Sequence, residues 1–331
     1  MSQQRAGGLV ERMERHQVAV YLAATAVGAL LGLAAPAAGA ALEGVVTPVL
    51  GALLFVTFLQ VPAADLARSL RDGRFLAAAL VVNFAVVPLV VAGMWLLLPD
   101  DRAVRLGVLL VLLAPCVDYV IVFSGLAGGS SRRLLAATPV LLVAQMVLLP
   151  VFLSLFLGAE LAGAVDGGPF VEAFVLLILV PLGLAWALQA WSGRSRAGRR
   201  VADAVSATMV PLMAATLLAV VASQVPRLDG DLARVAAAVP CYVAFLVVMP
   251  FAGRAVARVF GLGVPAGRAI VFTGATRNSL VVLPLALALP GELAVAAAVV
   301  VAQTLVEVVG MVVYVRAVPR LVPDRAADAV G

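Results

Sequence analysis

The chain has 331 residues, 64% of them hydrophobic and 12% charged, with a net charge of +5 and a mean hydropathy of +1.13. Soluble domains carry roughly twice that charged share, so a soluble globule is excluded and a polytopic membrane protein is expected. All 23 basic residues are arginines, and apart from Arg277 they cluster in short stretches between or at the ends of apolar runs, which argues for membrane topology rather than nucleic-acid binding.

Ten apolar spans are predicted: 17–36, 46–63, 75–98, 104–127, 133–158, 169–191, 202–224, 232–256, 264–289 and 291–316. Each approaches the roughly 20 residues that cross a hydrocarbon layer. The first is read as a retained helix, since the preceding segment is long and carries Glu11 and Glu14 beside Arg12 and Arg15, unlike a signal peptide. The expected organisation is a cytoplasmic segment 1–16, a five-helix repeat 17–158, an external linker 159–168, a second repeat 169–316 and a cytoplasmic tail 317–331. With the N-terminus inside, only Arg102, Arg105, Arg227 and Arg234 fall in outside loops. That bias predicts both termini in the cytoplasm of a plasma (inner) membrane protein. Five spans per half force the halves into opposite orientations, the condition for an inverted repeat of the secondary-transporter kind.

In that scheme the fourth and ninth spans correspond, and both are interrupted. The fourth holds Ala114-Pro115-Cys116-Val117-Asp118, and the ninth runs polar from Thr273 to Ser279 through Arg277 and Asn278. Pro115 removes a backbone donor and frees carbonyls. Such groups are tolerated at membrane depth only within protein or beside a watery cavity, so they are candidates to coordinate a cation or a polar solute. Pro88, Pro150, Pro181, Pro211 and Pro240 are read as plain kinks.

The ionisable residues near span centres are Asp118, Arg277 and Glu307. Each would cost about 2.5–3.5 kcal/mol or more at mid-bilayer if unpaired, so they should face a cavity or one another. The bland reading is a static ion pair. Cys116, beside a helix break, can meet a soft thiophilic ion or metalloid, whereas Cys241 reads as a packing residue. His16 is the only histidine, which leaves no ordinary catalytic triad. No phosphate-binding loop of the Walker type and no metal-ligand spacing occur in the sequence. A transporter without cofactor, rather than an enzyme, is expected.

At these residues the chain resembles the bile acid:sodium symporter superfamily, most closely its arsenite-exporter branch. Ala114-Pro115-Cys116 with Ser124-Gly125-Leu126-Ala127 is similar to the exporters' fourth helix, where the cysteine is functional. Asn83 through Pro88 resembles their third helix, and Leu305-Val306-Glu307-Val308 their tenth; Phe272-Thr273 with Asn278 fits the ninth more loosely. In the sodium-coupled branch a Ser-Asn pair of the fourth helix falls on Val120 and Ile121, and a Glu and a Gln of the ninth fall on Thr273 and Arg277. The exporters' own ninth-helix cluster has Arg277 in place of an Asn and Leu280 in place of a Glu.

The resemblance implies ten helices in a panel group and a core group, with the fourth and ninth crossing at a midplane site. The leading function is ion-coupled efflux of an arsenite-like metalloid. Its candidate substrate and coupling residues are Pro115, Cys116, Asp118, Thr273, Arg277, Asn278, Ser279 and Glu307. A proton is the first choice of coupling ion and sodium the second. The alternative is sodium-dependent symport of a small organic anion, with Arg277 as carboxylate partner. A passive channel would show repeated polar rings, which this sequence lacks.

Overall fold

The computed structural model describes residues 16–60, 72–117, 119–158, 172, 175–228, 231–287, 289 and 291–324. Asp118, the 159–168 linker, most of the 1–16 segment and the end of the tail lie outside them. The described residues are helical nearly throughout, and the only β-pairing among them is a single isolated bridge. Six helical stretches are long and apolar enough to cross a membrane: Pro36–Leu59, Gly73–Gly93, Ser131–Leu157, Arg196–Ser223, Leu232–Val259 and Gly291–Leu321. The chain divides into two compact units, each drawing on both halves of the sequence: Met1–Pro62 with Val171–Gly230, and Ala63–Phe170 with Asp231–Gly331.

The first unit contains α1 (Gln17–Ala34), α2 (Pro36–Leu59), a π-helical turn Val175–Leu179, α8 (Val180–Arg194), α9 (Arg196–Ser206) and α10 (Met209–Gln224). Between α1 and α2 only Ala35 is non-helical, at φ −140° and ψ 72°. Proline disfavours the helical region for the residue before it yet suits the first helical position, so Pro36 ends one helix and begins the next. The loop expected at 37–45 is therefore helix. That stretch is rich in alanine, the residue with the highest helix propensity.

Helix α10 packs closely on α1 because the latter's glycines carry no Cβ. A Cβ on Gly28 would lie 2.8 Å from the Leu218 carbonyl oxygen, and one on Gly32 would lie 2.8 Å from Val225 Cβ. Gln189 of α8 donates to the Phe58 and Leu59 carbonyls at 3.2 and 3.0 Å, satisfying the last turn of α2. The basic segment after α8 is mostly α9, whose N-terminus Ser195 caps by accepting from the Gly198 N–H at 2.8 Å.

The second unit begins with α3 (Gly73–Val81), a π-helical turn Val82–Val86 and α4 (Val87–Gly93). Then come α5 (Arg102–Leu112), α6 (Tyr119–Leu126) and α7 (Ser131–Leu157). Its remaining helices are α11 (Leu232–Ala236), α12 (Val239–Val259), α13 (Val264–Ala275), α14 (Ser279–Leu287) and α15 (Val295–Leu321). Asp101 caps α5, its Oδ1 accepting from Ala103 N at 3.0 Å and Val104 N at 3.1 Å.

Of the prolines read as kinks, Pro88 and Pro181 lie just after the π-helical turns Val82–Val86 and Val175–Leu179, and Pro150 lies inside α7. Small residues again set the packing. Gly107 of α5 faces the Ala296 carbonyl of α15, and Gly253 of α12 faces the Val271 backbone of α13, each with 2.8 Å left for a Cβ. Helix α15 is the most enclosed of the six long stretches, 67% buried over its most apolar window, and it forms the spine against which the interrupted helices pack.

Candidate functional site

Both interruptions expected from the sequence are present, and they meet. Helix α5 ends at Leu112 and α6 begins at Tyr119, while α13 ends at Ala275 and α14 begins at Ser279. The two unwound stretches pair antiparallel at Pro115 and Arg277. Cys116 N–H donates to the Thr276 carbonyl at 3.1 Å, and Asn278 N–H donates to the Ala114 carbonyl at 2.8 Å. Each break thus supplies partners for the backbone groups that the other leaves open, which is how irregular backbone survives inside an apolar protein. Proline is tolerated at position 115 because the pairing uses the N–H of Cys116 and the carbonyl of Ala114 and asks nothing of its nitrogen.

Beyond the crossing, Asn278 caps α14, its Oδ1 accepting from Val281 N at 3.2 Å, and its Nδ2 is buried with no hydrogen-bond partner. Ser279 Oγ accepts from Thr304 Oγ1 of α15 at 2.7 Å. Cys116 is buried and not in a disulfide.

Arg277 is the largest fully buried side chain, at 0% exposure. Its guanidinium lies in a cage of oxygens. Nη2 donates to Asn83 Oδ1 at 2.8 Å, to the Thr273 carbonyl at 2.7 Å and to the Gly274 carbonyl at 2.6 Å. Nη1 donates to the Leu112 carbonyl at 3.2 Å. The Phe245 ring of α12 covers the cation, with Cζ 5.5 Å from the ring centroid, a favourable cation–π placement. Nε has no hydrogen-bond partner. Asn83 is held in turn, Nδ2 donating to Thr273 Oγ1 at 3.2 Å and to the Ala79 carbonyl at 2.9 Å. The π-helical turn at Val82–Val86 carries Asn83, and π turns inside helices recur at functional sites. The carbonyls that the sequence offered as ligands for a bound cation are therefore engaged by a cation belonging to the chain.

Glu307 sits on the other side of this backbone. Oε2 accepts from the Arg277 main-chain N–H at 2.9 Å and from Gln303, and Oε1 accepts from the Tyr119 hydroxyl. The carboxylate is 1% exposed and accepts three hydrogen bonds, the arrangement that keeps a buried charge tolerable. Glu307 thus bonds the peptide of Arg277, while the guanidinium points into the oxygen cage.

The structure brings together Pro115, Cys116, Thr273, Arg277, Asn278, Ser279 and Glu307; Asp118 lies outside the described residues. Asn83, Tyr119, Phe245, Gln303 and Thr304 join the cluster without having been singled out as site residues. A signal existed for part of this set: Gln303, Thr304 and Glu307 recur at helical spacing, and so line one face of an otherwise apolar run. Asn83 is likewise a lone amide in such a run.

A helical membrane protein whose two interrupted helices cross on a buried Arg–Glu–amide cluster has the build of a secondary transporter. The Sodium Bile acid symporter family matches this chain over residues 47–230, more than half its length, and the chain belongs to that family. The matched stretch includes the first interrupted helix; the second lies beyond it. No curated protein matches the chain. Membership makes it a multi-pass transporter that takes a small-molecule substrate and a coupling ion across the membrane.

Proposed function

We propose that this transporter is a proton-coupled secondary exporter of a small arsenite-like metalloid, and that Arg277 stands permanently where a coupling sodium would otherwise be needed. The observation that carries the coupling half is the oxygen cage. A guanidinium held by Asn83 Oδ1 and the carbonyls of Leu112, Thr273 and Gly274 uses the oxygen ligands that a hard cation would need. Glu307 is the proton carrier, because a buried carboxylate at membrane depth marks a relay position, and Asp118 is its companion candidate by its place in the sequence of the fourth span. Cys116, in the crossing itself, is the soft ligand for a thiophilic metalloid. The ten-span inverted-repeat topology, with both termini cytoplasmic, remains our reading of the arginine distribution.

One observation favours a second substrate class. Asn278 Nδ2 and Arg277 Nε are buried donors without partners, and such donors suit the oxygens of a small organic anion.

Uptake into everted vesicles separates the readings. Arsenite, antimonite and small carboxylates are offered with and without pH and sodium gradients. Metalloid uptake driven by the pH gradient and indifferent to sodium is the expected result. A strict sodium requirement in the parent protein would remove the built-in-cation idea. Cys116→Ser should abolish metalloid export with membrane levels intact, while Cys241→Ser should change little. Full export by Cys116→Ser would transfer the weight to the organic anion.

A further inference from the structure

A groove of about 740 Å³ lies along α12 and α15, away from the crossing. That volume falls within the roughly 300–1,000 Å³ range of small-ligand clefts. Its walls are apolar and face outward, with Val247 59%, Phe251 62% and Val313 58% exposed. The two helices run in the same direction here: Tyr242 donates to the Val299 carbonyl at 2.9 Å and, further along both helices, Tyr314 donates to the Leu246 carbonyl. The groove continues from Leu246 to Phe251 on one helix and from Val312 to Leu321 on the other. Their C-terminal ends therefore lie together.

Both ends are basic. Arg316 and Arg320 line the groove, and Arg320 Nη1 donates to the Arg316 carbonyl at 2.8 Å, which lays its guanidinium back along the helix. Arg254 and Arg258 continue the α12 stripe one and two turns beyond Phe251. None of these four arginines has an acidic partner among the described residues; Asp324, the nearest acid in sequence to Arg320, is bound to Arg268 at 3.1 Å.

We infer that this groove is a binding site for one anionic phospholipid. An acyl chain lies along the Val247–Phe251 and Val313 walls, and the phosphate is held by Arg316 and Arg320. The argument is charge complementarity joined to apolar shape: the open slot runs along membrane-spanning helices and ends in cations that nothing described neutralises. Basic pockets between such helices select anionic head groups, each arginine contributing on the order of 1 kcal/mol near the surface. A neutral lipid would fill the slot without engaging its basic end, and an arginine pair without the slot would hold a head group only loosely.

The test uses the full chain purified in neutral detergent and titrated with phosphatidylglycerol or phosphatidylcholine. It is read by Tm and by counting retained lipid in native mass spectrometry. One phosphatidylglycerol should be retained, and its Tm increase should exceed that from phosphatidylcholine. Arg316→Gln should weaken phosphatidylglycerol binding about fivefold, and Arg316→Gln with Arg320→Gln about thirtyfold. Arg316→Lys should keep most of it. Val313→Trp, at an exposed position where an added ring is tolerated, should remove binding by filling the slot. Equal effects of the two lipids, or undiminished phosphatidylglycerol binding in the double glutamine variant or in Val313→Trp, would overturn the site.

Discussion

In the unit formed by α1, α2 and α8 to α10, the fully buried polar side chains among the described residues are Thr57, Thr216 and Ser223. Thr216 and Ser223 bond carbonyls of their own helix at 2.8 and 3.0 Å. Helices there meet backbone to backbone through Gly28, Gly32 and Gly39. In the unit formed by α3 to α7 and α11 to α15, the buried set includes Asn83, Thr273, Arg277, Asn278, Ser279, Gln303, Thr304 and Glu307. Besides local bonds such as Gln303 to Glu307, these bond from one helix to another. Within lipid, small residues allow close van der Waals packing and polar residues bind one helix to another. One unit uses mainly the first device; the other adds the second and concentrates it at the crossing. The contrast locates the chemistry, because a buried polar network is costly unless complete, and here Arg277 Nε, Asn278 Nδ2 and Gln303 Oε1, all in the cluster at the crossing, are buried without hydrogen-bond partners.

The largest effect should come from breaking the network at its cation. Arg277→Gln leaves the carbonyls of Leu112, Thr273 and Gly274 without donors and removes the partner of Asn83 Oδ1. Losing one member of a buried charged cluster costs about 3–5 kcal/mol, so thermal stability in detergent should fall steeply. Sodium chloride should then raise the Tm of Arg277→Gln more than choline chloride does, because the vacated oxygens can accept a small cation; the parent should not distinguish the two salts. Equal responses of parent and variant would separate the cage from any cation role. Combining Asp118→Asn with Arg277→Gln should recover stability if Asp118 is the counter-charge, and purely additive losses would deny it that part.

A smaller effect is expected where the first unit packs. At Gly28 the obstacle to a side chain is the Leu218 backbone oxygen, which cannot turn away. Gly28→Ala should therefore cost about 1–3 kcal/mol, as overpacking does. Gly44, on α2 with nothing within 4 Å of an added Cβ, provides the control. Gly44→Ala should stabilise by roughly 0.4–1 kcal/mol through the unfolded chain. A matching loss at both positions, measured as Tm under identical conditions, would mean that close backbone approach is not what holds α1 to α10.

Much of this architecture was legible in the sequence, for reasons that also mark the limits. Apolar runs and arginine-bearing connections are long-range compositional signals, so the helical stretches fell close to their expected places. The two interruptions were visible because Pro115 and the polar run 273–279 violate that pattern. The destination of each freed backbone group was not legible. The sequence offered open carbonyls to a solute, whereas Leu112, Thr273 and Gly274 turn theirs toward Arg277, and Ala114 and Thr276 theirs toward the opposite strand. Pairing across some 160 residues leaves no local trace. The Ala-rich joint after Pro36 misled for the opposite reason. It falls between the predicted spans 17–36 and 46–63, yet its residues are good helix formers beginning at a favourable proline.

The smallest expected effect tests a helix end of the polar unit away from the crossing. Asp101 caps α5 and also receives Arg234 Nε at 2.7 Å, and Arg234 reaches Asp231 at 2.8 Å. The Arg234 hydrogen bond, aided by the N–H groups of Val104 and Ala103, holds the Asp101 carboxyl below its ordinary range, with partial burial opposing. A carboxylate depressed in the folded state adds stability above its unfolded pKa of about 3.9. That contribution is lost as pH falls through the lower folded value. Asp101 and Arg234 are 25% and 41% exposed, so solvent screening limits the pair to about 0.2–1 kcal/mol, and the cap adds about 1 kcal/mol. Asp101→Ala should lose both contributions at neutral pH. Asp101→Asn should keep the cap, lose the pair, and show a shallower fall of Tm between pH 6 and pH 3 than the parent. Identical acid slopes in parent and Asp101→Asn would show that the carboxylate is not linked to folding, leaving the cap as the whole of its contribution.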